Sequence, residues 1–113
     1  MMNAKITNVS LTMENHGVLV FYLMLEGGGW GVSFGGYVIG KGYLGAEKFE
    51  GCAKGIEAIM RIMNVIGVDR WEDLEGKYCR IKEDGIRENV HTIGNILEDK
   101  WFDAKEFFKG DKS

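Results

Sequence analysis

Proline is absent from this chain, so no turn or kink can rest on the φ restriction that proline imposes. Cysteine is almost absent too. Cys52 and Cys79 are too few for a disulfide framework, which points to a reducing compartment. Only two histidines occur, His16 and His91. No pair drawn from them and the two cysteines has the spacing of metal ligands. A nucleophile elbow of the GxSxG kind is missing as well, so neither catalysis nor a metal or cofactor is expected. The longest apolar run, Val18 to Leu25, is far too short to span a bilayer. Positive charge is not in excess: the net charge is −3, the wrong sign for general nucleic-acid affinity and too small for a nucleic-acid mimic. The opening MMNAKITNVS alternates polar and apolar residues and does not read as a signal peptide, so a cytoplasmic location is expected.

Glycine is what the chain has instead, 17 in 113 residues, nine of them between Glu26 and Gly45. Large side chains are interleaved with them: Trp30, Val32 and Phe34, then Tyr37 and Ile39. A flexible linker would carry serine rather than rings. The two-residue period of a strand breaks once, at Gly35-Gly36, where a bulge would return the later side chains to the same face. Two readings follow. The rings fill a core, or they and the bare backbone form a contact surface with Trp30, Phe34, Tyr37 and Tyr43 as anchors. On the alternate face Gly31, Ser33 and Gly35 carry almost no side chain, so either a helix lies tightly over them or a partner covers them, with Ser33 central. The acidic turns around Glu72 and Glu83 are a second candidate contact, able to imitate phosphates before a basic target. Glu26-Gly27-Gly28-Gly29 is no phosphate loop, because a strand rather than a helix follows.

The rest of the chain reads as follows. Lys5 to Met13 alternates as a half-buried strand, Glu14 to Gly17 is a turn, and Val18 to Leu25 is a central strand. With the glycine-rich strand they make an antiparallel meander. Ala46 to Ile66 is a helix whose apolar face is Phe49, Cys52, Ala53, Ile56, Ile59, Met60 and Met63. Beside that face Gly51, Gly55 and Ala58 form a smooth stripe suited to close packing on a sheet, or to a homo-oligomer. Asp69 to Glu72 has the form of a capping box before one helical turn. Lys77 to Lys82 is a strand with Cys79 and Ile81 on one face, Glu83 to Gly85 a turn, and Val90 to Leu97 the last strand, bent or ended early at Gly94-Asn95. Asp103 to Glu106 is a second capping box, and Phe102 and Phe107 have the spacing of a hydrophobic staple for a short C-terminal helix. Residues 1–113 thus form a single α+β domain, an antiparallel sheet of about five strands (β-β-β-α-β-β-α) with one long amphipathic helix packed on it.

At GVDRWEDLEGK (Gly67 to Lys77), IGNILEDKWFD (Ile93 to Asp103) and LEGGGWGVSFGGY (Leu25 to Tyr37) the chain resembles a family of small proteins encoded in bacteriophages and prophages. That resemblance implies no catalytic activity. It implies a phage accessory protein in the bacterial cytoplasm, non-enzymatic, acting on a host defence protein or its signal molecule as anti-CRISPR proteins do, with no membrane partner. A helix ending in Gly-Val, an acidic turn, Leu-x-Gly-Lys and a strand also resemble phage single-strand DNA-binding proteins of the OB type, in which rings stack on bases. Trp30, Phe34, Tyr37 and Tyr43 would supply the rings. Basic residues are scattered through the sequence, however, and nucleic acid is not the expected partner.

Overall fold

The structure, a computed structural model, describes residues 2–14, 17–42, 48–82 and 89–109. The alternating opening is strand β1 (Met2–Glu14), followed by β2 (Val18–Gly27) and β3 (Trp30–Lys41). β1 pairs antiparallel with β2, and β2 with β3, which is the expected meander. Gly35 and Gly36 both take positive φ, +124° and +84°. Next to them the register slips by one residue, from Tyr22 opposite Gly35 to Val20 opposite Val38. This is the bulge that the broken alternation predicts, and glycine tolerates it because no Cβ opposes the backbone there.

β3 is followed by the two-residue β4 (Glu50–Gly51), and helix α1 spans Ala53–Ile66. The expected helix start at Ala46 is therefore corrected. Gly51 belongs to a strand, Cys52 is the helix cap, and residues 43–47 lie outside the described residues. A 3-10 turn (Trp71–Leu74) precedes β5 (Tyr78–Ile81). Asp69 does not cap that turn: Arg70 occupies the cap position, and no side chain bonds there. Then come β6 (Asn89–Val90), β7 (Thr92–Asn95), β8 (Trp101–Asp103) and helix α2 (Ala104–Phe108). The expected last strand is split at His91, and β8 was not foreseen. The C-terminal helix is capped as expected, with Asp103 Oδ1 accepting from Glu106 N at 3.0 Å and the Phe102 and Phe107 rings 5.2 Å apart.

The strands form one sheet in the order β4-β3-β2-β1-β5-β7-β8. Every pair is antiparallel except one: β6 lies parallel beside β3, Ser33 opposite Asn89 and Phe34 opposite Val90. Because β6 runs on into β7, and β7 pairs with β5, the sheet curls until its two halves meet. The class is α+β, as expected, with more strands than five. β1 serves two partners, meeting β5 through Met2 to Lys5 and β2 from Lys5 onward, with a register shift between Ile6 and Asn8.

One side of the sheet holds the core. Ile6, Phe21, Leu23, Phe34, Cys79, Ile81 and Ile93 meet Ala58, Ile62 and Val65 of α1, Leu74 of the 3-10 turn and Ala104 of α2. The helix face is a second correction. Gly55, Ala58, Ile62 and Val65 are buried, whereas Phe49, Ile56 and Met60 are 65%, 55% and 61% exposed. The reason is closeness of approach. A Cβ at Gly55 would overlap the Ile39 side chain and lie 2.8 Å from its Cα, so only the smooth stripe can sit against β3. Bulkier Ile59, Met63 and Ile66 flank it, partly buried.

Candidate functional site

The helices and the 3-10 turn join the core on one side, so the opposite side of the strands faces outward. Register assigns the residues. On β2 and β3 the outward partners are Tyr22 with Gly35, Met24 with Ser33, and Glu26 with Gly31. Met24, Glu26 and Gly31 are exposed. A shallow cleft of about 460 Å³ runs across them, lined by Thr7, Asn8, Met24, Glu26, Gly31 and Ser33 among others. The nearest atom to a Cβ built on Gly31 is the Leu25 carbonyl oxygen, 3.6 Å away, an ordinary van der Waals contact. Among the described residues, no helix lies on this face.

The rings named as anchors sit differently. Phe34 is fully buried, 6.3 Å from the Phe21 ring and 6.5 Å from that of Phe102, so it offers no contact surface. Tyr37 is half-buried: its ring stacks on Phe108 at 4.7 Å and its hydroxyl lies 2.6 Å from His91 Nδ1. Trp30 packs against the core over Gly27, where a Cβ would overlap its indole. For these three the core-filling reading accounts for their positions, because the bulge keeps Phe34 and Tyr37 on the inward side. Ser33 alone of the β3 candidates points outward. Tyr43, Glu83 and His16 lie outside the described residues.

Glu72 is exposed and accepts from Arg70 Nη2 at 2.9 Å. Its own backbone amide, then Arg70, hold its carboxyl below the usual carboxylate range, and Glu72 in turn holds the Arg70 guanidinium above its ordinary value. A depressed pKa means that the pair persists above the ordinary glutamate range and is lost only as pH falls through the lowered value. Glu72 and Asp73 line a polar hollow with Asp69 and Lys77. This acidic turn is separate from the Ser33 cleft, sharing no lining residue with it.

The two thiols are unlike. Burial pushes Cys79 up to about 12, so almost no thiolate exists there at neutral or mildly alkaline pH. Cys52 is half-buried at the start of α1, its sulfur accepting from Gly55 N at 3.3 Å. A disulfide reagent at pH 8 is therefore expected to titrate one thiol rapidly in the folded protein and the second only after denaturant is added. Two rapid equivalents without denaturant would contradict the burial of Cys79. Among the described residues, no group of three or more His, Cys, Asp or Glu converges as metal ligands. Nor is any helix long and apolar enough to cross a membrane.

A second part of the outward side was missed by sequence reasoning. Cys79 and Ile81 point inward, so Tyr78 and Arg80 point outward, in register with Lys5 and Asn3 of β1. Arg80 in turn faces Gly94, and Gly94 faces Trp101. The indole covers Gly94, where a Cβ would overlap it. Its N–H donates to Asp99 Oδ1 at 2.7 Å. Arg80 Cζ and Lys82 Nζ lie 4.7 and 4.6 Å from the indole centre, and Lys5 Nζ lies 5.9 Å from the centre of the exposed Tyr78 ring. The signal was present in KYCRIK, whose alternation puts Tyr78, Arg80 and Lys82 on one face. Trp101 gave no signal, because β8 was not anticipated. Comparison with known proteins adds no name to this geometry: no family model, no curated protein and no solved structure matches the chain.

Proposed function

We propose that the protein is a non-enzymatic phage accessory protein that binds and inhibits a bacterial defence component, by occluding a protein surface or capturing its signal molecule. The contact is the outward side of β2 and β3 around Ser33. The observation that carries this reading is the open cleft over Gly31 and Ser33, glycine-rich backbone on which no helix of the described residues lies. Bare backbone lets a flat partner approach closely, and Met24, 44% exposed, supplies an adaptable apolar contact beside it.

Ser33→Arg and Gly31→Val test it. Both are expected to change stability by no more than about 0.5 kcal/mol, as surface substitutions do. Ser33→Arg places a long charged side chain across the cleft and should abolish the protection that the protein gives infecting phage in a defended host. A folded Ser33→Arg variant with full protective activity would remove this face from consideration and leave the Glu72 turn as the better contact.

The chain path favours a second reading, a single-strand nucleic-acid-binding protein of the OB type. Three meandering strands are followed by a helix, then a strand antiparallel to the first and a last run that closes against the third in parallel. Partly open five-stranded barrels of that kind bind oligonucleotides on the face of their second and third strands. The rings would not be Trp30, Phe34 and Tyr37, whose positions are inward.

A further inference from the structure

The overall charge of −3 argues against nucleic acid, but charge acts locally, and here its placement differs from its sum. Lys5 and Arg80 lie on the outward side of adjacent strands β1 and β5, interleaved with Tyr78 and, two strands across, Trp101. Lys82 stands just past the end of β5, its Nζ near the Trp101 ring. Among the described residues, the acids near the band are Glu26, opposite Lys5 on β2, Asp99, which accepts from the indole N–H, and Glu98, which pairs with Lys100 at 3.5 Å. Arg80 is a positioning residue. It donates to the Asn95 and Glu98 carbonyls at 2.7 and 2.8 Å, which ties the turn after β7 to the sheet beside the indole. Gly94 beneath and Asp99 at the edge hold Trp101 in a fixed pose. A ring already held in place loses little freedom when something stacks on it.

We propose that this band binds single-stranded nucleic acid, with bases stacked on Trp101 and Tyr78 and phosphates drawn to Lys5 and Lys82. The two rings stand about two strand spacings apart across the sheet and two residues apart along it, roughly 12 Å, so they suit separate bases of one strand rather than the two faces of one base. Stacking rings among cations are what sequence-tolerant single-strand binding requires. The inference rests on the nucleic-acid reading above and moves its site from β2–β3 to β5–β8.

Fluorescence anisotropy with a labelled oligothymidine of about 12 nucleotides tests both. The expected result is a complex whose log affinity falls with log salt, by about 0.7 per phosphate contact. Trp101→Leu should weaken it about tenfold or more, as loss of one stacked base does. Lys82→Glu, at an exposed position, should weaken it and flatten the salt slope with an unchanged melting curve, so the test survives even if the Trp101 variant fails to fold. Absence of binding at low salt would overturn both the nucleic-acid reading and this site. Tight binding untouched by Lys82→Glu and by a folded Trp101→Leu would overturn the site alone. Equal affinity for duplex, or equal competition by polyglutamate, would show attraction by charge without stacking and would overturn it too.

Discussion

Phe34→Ala is expected to cost about 3–5 kcal/mol in unfolding free energy, the range for truncating a buried phenylalanine. The ring has no exposed surface and sits between Phe21 and Phe102, contributed by β2 and β8. Alanine would leave a cavity that cannot easily collapse, because β3 at this point is held on both edges. Leu23 faces Phe34 from β2, and Val90 pairs with it from β6. Against a total stability on the order of 5–15 kcal/mol, the loss is a large fraction. Denaturant unfolding measures it directly. A loss below about 1 kcal/mol would mean that the ring is not enclosed, and it would return Phe34 to the list of contact residues.

The second large effect is Gly55→Leu, expected at about 3 kcal/mol, the upper end of the overpacking range. The new side chain would meet Ile39 Cβ, Cγ2 and Cα, and the last of these cannot move without β3. Replacing a helical glycine gains helix propensity of about 1 kcal/mol at most, which does not offset the clash. Gly51→Leu is the control. No heavy atom lies within 4 Å of its built Cβ, so a change within about 0.5 kcal/mol is expected. Thermal melts of the pair separate the packed glycine of α1 from the open one in β4. If the two variants melted alike, or Gly51→Leu lower, the close approach of Gly55 to Ile39 would be contradicted.

How far the sequence could be read depended on the range of the interaction. Alternation in Lys5 to Met13 and in KYCRIK is a property of adjacent residues, and both strands appear. Cys79 and Ile81 are inward as foreseen, whereas in β1 the buried residues are Ala4 and Ile6, and Leu11 and Met13, expected on the apolar face with Thr7 and Val9, are exposed. The Asp103 cap is equally local, one side chain and one amide three residues on. The helix face was misread because α1 has two candidate stripes. Hydrophobicity favours Ile56 and Met60, while the distance to Ile39 selects Gly55 and Ala58, and that distance is set by a strand elsewhere in the chain. The pairing of Phe34 with Val90 and of Gly94 with Trp101 is likewise long-range. For the site, the outward position of Ser33 was legible, but the inward turn of Tyr37 depended on where the bulge placed it. Trp101 needed β8, whose three residues are too few to show a period.

The sheet ends on β4 and β8, two and three residues long, and the three long strands lie within it. β3 is the exception at one margin, yet its outer margin is interrupted by β4 at Gly40 and Lys41, by β6 at Ser33 and Phe34, and by the glycine bulge between them. Along β3 a neighbouring chain therefore finds no long straight row of backbone donors and acceptors on which to template itself, whereas β1 from Asn8 to Glu14 pairs with β2 alone and has no second strand beside it among the described residues. Fibril growth needs such a row, and the interrupted margin of β3 denies it there. The glycine-rich composition, which in a flat unbroken strand would invite stacking into cross-β assemblies, here supplies the kink that prevents it.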